Sequence, residues 1–159
     1  MIMLLSKNAQ KIQDILDEKG FSFKVLELPS NTRTAQEAAD TIGCTVAQIL
    51  KSLIFRTRET KKPVLVLASG INRVNEKIIA RHVGEKIEKA DAEFTKQVTG
   101  FAIGGIPPLG HTQKIMTYID EDLLQYDELW AAAGMPNAVF SLTPEALEKL
   151  SIGEVISIK

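Results

Sequence analysis

One run of glycine and proline inside an apolar segment constrains the fold more than any other feature. Residues 103–111 read Ile-Gly-Gly-Ile-Pro-Pro-Leu-Gly-His. Glycine permits positive φ and the close approach of other groups, whereas proline fixes φ at about −65° and donates no hydrogen bond. Because the remaining side chains are mostly apolar, an ordinary solvated loop does not fit this run. The composition predicts a stiff, partly buried loop.

Two interpretations of this loop remain open from its residues alone. It could be a tight connection between two buried strands. Alternatively, its glycines could hold backbone N–H groups outward to bind a carbonyl, carboxylate or phosphate without a charged side chain.

Helices and strands alternate along the rest of the chain with short joints. Periodicity and capping residues predict helices over 6–19, 34–42, 76–82, 91–98 and 143–150, with short helical turns at 45–48 and 121–125. Alternation and β-branched residues predict strands over 21–28, 53–58, 63–68, 115–120, 138–142 and 154–158. Residues 131–136 are predicted to form a turn of small residues. This order is typical of a single α/β-type (α+β) domain with a mixed sheet, which we expect to span residues 1–159.

Lys51 interrupts an apolar run just where a helical turn is predicted to give way to a strand. Strand alternation places Lys51 on the face of Leu53 and Phe55, and Ser52 on the face of Ile54. The Lys51 side chain could extend to solvent along its alkyl stem. Alternatively, its ammonium group could point into a cleft and attract a phosphate or a carboxylate.

The charge balance excludes a broad electrostatic footprint on nucleic acid. With 19 basic and 20 acidic residues, the net charge is −1, so any RNA contact must be local.

No apolar run approaches the roughly 18 residues of a membrane span, and the first residues do not form a signal-peptide core. These features predict a cytoplasmic protein that does not enter a membrane.

Few residues are available for metal binding or for a side-chain nucleophile. Cys44 is the single cysteine, and only His82 and His111 accompany it, so we expect no metal and no cofactor. His111 directly follows the glycine-proline loop, where it could exchange a proton near neutral pH or simply lie at the surface. No Ser/His/Asp order, phosphate-binding glycine motif or paired-carboxylate motif stands out.

An ordered set of segments along nearly the whole chain resembles the YbaK/EbsC family. These aminoacyl-tRNA deacylases are similar to the editing domain inserted in bacterial prolyl-tRNA synthetases. The segments that carry the resemblance are Lys51-Ser52-Leu53, residues 99–110, Ile119-Asp120, Ala133-Gly134 and Leu142-Thr143-Pro144. The resemblance implies a mixed, mostly antiparallel, barrel-like sheet surrounded by helices. It also implies a free-standing hydrolase that edits mischarged tRNA.

The resemblance assigns roles to particular residues. Lys51 would be the essential residue and would hold the phosphate of the tRNA 3′-terminal adenosine. The loop from Gly104 to Gly110 would border the aminoacyl pocket and offer backbone groups to the ester carbonyl and the attacking water, with Gly105 as a catalytic residue. The remaining substrate-binding residues would be Ser52, Ile106, Pro107, His111 and Gly134.

The resemblance also implies partners. These are the 3′ end of mischarged tRNA and, for delivery, prolyl-tRNA synthetase or an elongation factor, with the protein a monomer or weak dimer. A non-catalytic module of the same fold that binds a tRNA end or a nucleotide is the alternative.

Three departures from the Cys-tRNA deacylase pattern affect the expected substrate. Pro107 stands where that pattern has Ser, residues 132–134 replace a Ser-Gly-Gly segment, and Val139 replaces an acidic residue. The expected pocket is therefore more apolar, which leaves alanine, 2-aminobutyrate, serine and threonine open as the amino acid removed from tRNA(Pro).

Overall fold

The computed structural model describes residues 5–159 as five α-helices and eight strands. The helices are α1 Lys7–Glu18, α2 Ala35–Ile42, α3 Glu76–Val83, α4 Ala92–Thr99 and α5 Pro144–Ser151. The strands are β1 Val25–Glu27, β2 Ile49–Thr57, β3 Pro63–Ser69, β4 Ile87–Lys89, β5 Met116–Asp120, β6 Leu129–Ala132, β7 Ala138–Leu142 and β8 Glu154–Ile156. Two short 3-10 helices, Val46–Gln48 and Glu121–Gln125, lead into β2 and follow β5.

All strands belong to one mixed sheet in the order β1-β7-β6-β2-β3-β5-β8, with β4 paired to the far end of β2. Four strand pairs are antiparallel and three are parallel. The predicted mixed α/β fold is confirmed. The sheet is open, with β1 and β8 as its outer strands, and does not close into a barrel.

Local capping explains where most helices begin and end. The Thr34 hydroxyl accepts a hydrogen bond from the Glu37 N–H while the Glu37 carboxylate accepts one from the Thr34 N–H, which forms the predicted capping box. The sequence offers Asn72 and Asn75 as possible caps of α3, and in the structure Asn75 caps it by accepting from the Lys77 N–H. Asp91 and Thr143 cap α4 and α5 in the same way.

β3 is the central strand of the sheet, as its continuous apolar run predicts. Residues 64–69 are all buried, and β3 lies between β2 and β5. One core cluster packs against the sheet beneath α1 and α5, and a second lies beneath α3. Across residues 5–159, no helix has both the length and the apolar character needed to cross a membrane.

Two sequence predictions about strands are wrong. Ala131 and Ala132 belong to β6 instead of a turn, because Ala131 pairs with Leu50 on one side and Phe140 on the other. The predicted strand over residues 21–28 shortens to Val25–Glu27, the part that pairs with β7. The short strand β4 was not predicted.

Candidate functional site

The candidate site opens along one edge of β2, where that strand lacks a neighbour. Ile49 and Leu50 pair with β6, and β4 pairs with β2 only from Phe55 onward. Within residues 5–159, no strand pairs with residues 51–53 on this edge. The gap between β6 and β4 leaves room for a cleft.

Ser52 presents its backbone to this gap. The Ile49 carbonyl accepts from Gly70 on the β3 side, whereas the Ile54 carbonyl accepts from Ala90 on the opposite side. Because backbone groups alternate along a strand, the N–H and C=O of Ser52 point away from β3 and into the gap. The Ser52 Oγ atom is also buried, with no hydrogen-bond partner in the described part of the chain. A buried hydroxyl without a partner is uncommon and marks a place where a ligand can bind.

Lys51 is half-buried, and its Nζ donates a hydrogen bond of 2.9 Å to the backbone carbonyl of Asn72. Burial lowers the pKa of the Lys51 ammonium, and the negative charge of Asp120 partly opposes this effect. The side chain therefore does not extend freely into solvent, which was one of the two sequence interpretations. It is held inside the cleft by a specific acceptor.

Asn72 is itself fixed by carboxylates. Its side-chain amide donates to Asp120 and to Asp122, each at 2.8 Å. Asp120 is 1% exposed and also accepts from the backbone N–H groups of Ser69 and Asp122, each at 3.0 Å. This network orients the carbonyl that holds Lys51.

Two cavities lie on either side of a shared wall formed by Lys51, Ser52, Leu53, Ile103 and Ile106. The smaller cavity, about 140 Å³, is lined by Arg33 and Thr34 and otherwise mostly by small or apolar residues from α2, β6, β7 and the turn between those two strands, namely Ala35, Ala38, Ala131, Ala132, Pro136 and Val139. The larger cavity, about 350 Å³, has a polar lining that includes Asn72, Arg73, Glu76, Lys89 and Thr95. Lys51 and Ser52 can therefore contact one ligand that extends into both cavities.

The first half of the glycine-proline loop borders the smaller cavity. Gly104 has φ of +93°, a conformation that favours glycine, and lines this cavity together with Ile106. Among residues 5–159, the N–H groups of Gly104 and Ile106 donate to no protein acceptor. The same holds in the described part of the chain for the N–H of Ile103, which lines both cavities, so the loop has three available donors at the cleft.

Gly105 serves a different purpose from the one expected. Its N–H is already bonded to the Ala102 carbonyl at 3.1 Å, and its carbonyl accepts from Gly134 at 2.9 Å. A Cβ at Gly105 would lie 2.7 Å from the Cα of Met135, so only glycine fits against that backbone. The N–H of Gly105 is therefore not among the donors that the loop offers to a ligand, and a catalytic role for this residue stays a prediction.

The second half of the loop faces away from the cleft. Pro107 is buried, and its carbonyl accepts a 2.7 Å hydrogen bond from the Nε2–H group of His111. Gly110 packs against Ile15 of α1, and with His111 it lines another cavity beside Lys19. Burial lowers the pKa of His111, an effect that the Pro107 carbonyl partly opposes. The structure thus brings Lys51, Ser52, Gly104 and Ile106 together, but not Pro107, Gly110 or His111.

Gly134 supports the site from behind. It is buried with φ of +94°, and a Cβ there would meet Asn8 and Phe101 at 3.0–3.2 Å. Its N–H bonds to Gly105, so it anchors the loop and does not itself line either cavity. Its expected contact with substrate is not evident in this arrangement.

Asn72 and Asp120 are site residues whose role the sequence does not reveal. By itself the sequence offers Asn72 only as a possible helix cap, and Asp120 only as part of a segment that matches the family. The available indication was a carboxylate at the end of an apolar strand, which needs buried partners. In the described part of the chain, no group of three His, Cys, Asp or Glu side chains is placed to ligate a metal ion.

The chain is similar in sequence and in fold to known tRNA-editing proteins. The family model described as an aminoacyl-tRNA editing domain matches residues 29–150. A crystal structure of a proposed trans-editing enzyme for prolyl tRNA synthetase superposes with a TM-score of 0.93 at 45% identity, covering 98% of this chain and 99% of that one.

Two curated relatives are similar over shorter spans. The EbsC protein of Enterococcus faecalis, proposed to be a Cys-tRNA(Pro)/Cys-tRNA(Cys) deacylase, is 28% identical over 79% of this chain and 76% of its own length. A proline–tRNA ligase of Limosilactobacillus fermentum is 35% identical over 57% of this chain, which corresponds to 16% of that much longer enzyme.

Proposed function

The chain belongs to the aminoacyl-tRNA editing domain family, as its resemblance to the YbaK/EbsC group predicted, and from that premise we propose that it is a trans-acting hydrolase. Its substrate is tRNA(Pro) that carries a small non-cognate amino acid. The observation that carries the proposal is the position of Lys51 and Ser52 on the wall shared by two cavities, one small and apolar, the other larger and polar. An aminoacyl ester of adenosine likewise consists of a small part, the amino acid, and a larger polar part, the nucleoside.

Lys51 binds the phosphate of the terminal adenosine in this proposal. At about 4 Å and an effective dielectric of about 20, a lysine and a phosphate charge attract by about 4 kcal/mol before desolvation is subtracted. The Asn72 carbonyl uses one ammonium hydrogen and leaves two for the ligand. This interaction positions the substrate and takes no proton from it.

Backbone N–H groups stabilise the reacting carbonyl. Water adds to the ester carbonyl carbon, and negative charge develops on the carbonyl oxygen near Gly104 and Ile106, whose N–H groups are free to donate. The bond from the carbonyl carbon to the ribose oxygen then breaks, and that oxygen gains the proton that the water loses. Family resemblance implies that the neighbouring ribose hydroxyl assists, so no protein nucleophile is needed.

The smaller cavity sets the amino-acid specificity. Ala38, Ala132 and Val139 leave space for a small side chain, and the charged residues of this lining are Arg33 and Lys51. One methylene in such a pocket changes discrimination by about 1–3 kcal/mol, so the site works by excluding larger residues. Similarity to a segment of a proline–tRNA ligase and to the proposed trans-editing enzyme supports tRNA(Pro) as the acceptor. Prolyl-tRNA synthetase or an elongation factor in the cytoplasm would then supply the substrate.

A panel of mischarged tRNAs tests the proposal. Purified protein is incubated with tRNA(Pro) bearing alanine, 2-aminobutyrate, serine, threonine, cysteine or proline, and release of the amino acid is followed. We expect release of one or more small residues and retention of proline. Binding of deacylated tRNA without hydrolysis of any ester would instead favour the non-catalytic tRNA-end or nucleotide-binding module.

A further inference from the structure

Two cations at the rim of the larger cavity suggest how the tRNA tail enters the site. Arg73, in the segment after β3, and Lys89, at the end of β4, are both exposed and both line the cavity that contains Lys51. They lie on opposite sides of β2, because Lys89 belongs to β4, which pairs with one edge of β2, whereas Arg73 follows β3, which pairs with the other edge. A chain that passes over this cavity runs between them.

Neither cation is engaged by a carboxylate. Across residues 5–159, Arg73 and Lys89 have no Asp or Glu oxygen within 4.0 Å, whereas Arg56 and Lys159 are both paired. Glu76 is the one acidic residue in the lining of the larger cavity, against Lys51, Arg73 and Lys89. For a protein of net charge −1, this is a local excess of positive charge at one cavity. Because the protein as a whole carries almost no net charge, binding to RNA requires a local cationic site such as this one.

We propose that Arg73 and Lys89 bind backbone phosphates of the single-stranded tRNA 3′ tail, so that the terminal nucleotide occupies the larger cavity and the amino acid the smaller one. This inference rests on the proposed function and adds the direction in which the substrate lies. The larger cavity, at about 350 Å³, falls in the range usual for ligands of nucleoside size, and the smaller one, at about 140 Å³, does not. Flexible, exposed cations suit phosphates, which carry no sequence information and fix the register of the chain.

The test compares a substrate that has a tail with one that lacks it. Wild type, Arg73→Gln, Lys89→Gln and the double variant are assayed on mischarged tRNA and on the matching 3′-O-aminoacyl adenosine, which has no phosphate. Each single change should raise KM for tRNA roughly two- to fivefold, and the double change on the order of tenfold. KM for aminoacyl adenosine should not change. Lys62→Gln, which removes a charge from the β2–β3 turn, serves as the matched control and should leave both KM values unchanged.

Salt dependence and direct binding supply independent readouts. For single strands, the slope of log affinity against log salt becomes shallower by about 0.7 for each phosphate that the protein no longer neutralises. Anisotropy titrations with deacylated tRNA should therefore give a shallower slope for each variant, whether or not the ester is hydrolysed. The inference would be overturned if the Arg73 and Lys89 variants kept the wild-type KM and salt slope. It would also be overturned if their KM rose equally for tRNA and for aminoacyl adenosine. A further variant, Arg33→Gln, removes a charge from the lining of the smaller cavity, and a rise in KM for tRNA in this variant but not in Arg73→Gln or Lys89→Gln would also overturn the inference. By contrast, failure of the wild type to hydrolyse any ester contradicts the proposed function and leaves the binding readout interpretable.

Discussion

Asp120 acts on Lys51 through Asn72. The buried carboxylate accepts a 2.8 Å hydrogen bond from the Asn72 side chain, and the Asn72 backbone carbonyl accepts a 2.9 Å hydrogen bond from the Lys51 ammonium group. The same carboxylate raises the pKa of Lys51 against the larger, lowering effect of burial. Asp120 therefore both orients the lysine and helps to keep it charged.

As the pH is raised, the Asp120→Asn variant should lose its activity earlier, at a lower pH, than the wild type does. Without the Asp120 charge, burial lowers the Lys51 pKa further, so the lysine loses its proton, and its hold on phosphate, at lower pH. The alkaline limb of the kcat/KM profile should shift toward neutrality. Asp122→Asn is the control, because Asp122 also accepts from Asn72 but is not among the causes of the Lys51 shift. Identical alkaline limbs in wild type and Asp120→Asn would contradict this coupling.

The Gly105→Ala variant should be destabilised by about 1–3 kcal/mol, because the new methyl group would overlap the backbone of Met135. Urea denaturation monitored by circular dichroism measures this change. Activity should fall as well, since the shift of Gly105 moves the N–H groups of Gly104 and Ile106. Gly43→Ala is a useful comparison, because its φ is +88° but nothing lies within 4 Å of the added Cβ. A Gly105→Ala protein with wild-type stability would refute the close packing.

His111 should make the protein less stable in mild acid. Its pKa is lowered by burial in the folded state, so between that value and the unfolded value near 6.5 the unfolded chain binds more protons. Stability is therefore greatest above about pH 6.5 and falls as the pH drops toward the folded-state pKa. The His111→Gln variant should lose less stability over that interval when urea midpoints are compared at pH 7.5 and pH 5. An equal acid-induced loss in the two proteins would show that the His111 ring is not responsible.

Narrowing the smaller cavity should change which amino acid is removed. Ala132→Val adds two methyl groups to the cavity wall on β6, a position that tolerates a β-branched residue. The ratio of kcat/KM for 2-aminobutyrate to that for alanine should fall on the order of tenfold or more, since each methylene is worth about 1–3 kcal/mol. Alanyl-tRNA(Pro) provides the internal reference within the same protein. An unchanged ratio would place the amino-acid side chain elsewhere.

Local chemistry made much of the fold predictable. Capping residues such as Thr34 and Asp91 fix helix starts through bonds to residues three positions later, and the sequence shows these directly. The apolar run of β3 likewise predicted its central place. Lys51 could be singled out because a cation in an apolar strand needs a particular explanation.

The features of the fold and the site that the sequence did not predict depend on contacts between residues far apart in the chain. Ala131 becomes a strand residue only because Leu50 and Phe140 lie on its two sides. Gly105 had to be glycine because of Met135, a backbone neighbour that its own segment does not reveal. The link from Asp120 through Asn72 to Lys51 joins three separate segments, and neither periodicity nor a motif encodes it.

The most direct test of the account is the single-turnover deacylation of alanyl-tRNA(Pro) by the wild type and by Lys51→Ala, with far-UV circular dichroism as the check on structure. The wild type should release alanine, and Lys51→Ala should retain the fold but lose about 100-fold or more in rate, the scale typical of removing one key electrostatic group. Lys51→Arg should recover part of the rate only if a positive charge suffices. Wild-type turnover by a folded Lys51→Ala protein would contradict the central role of Lys51.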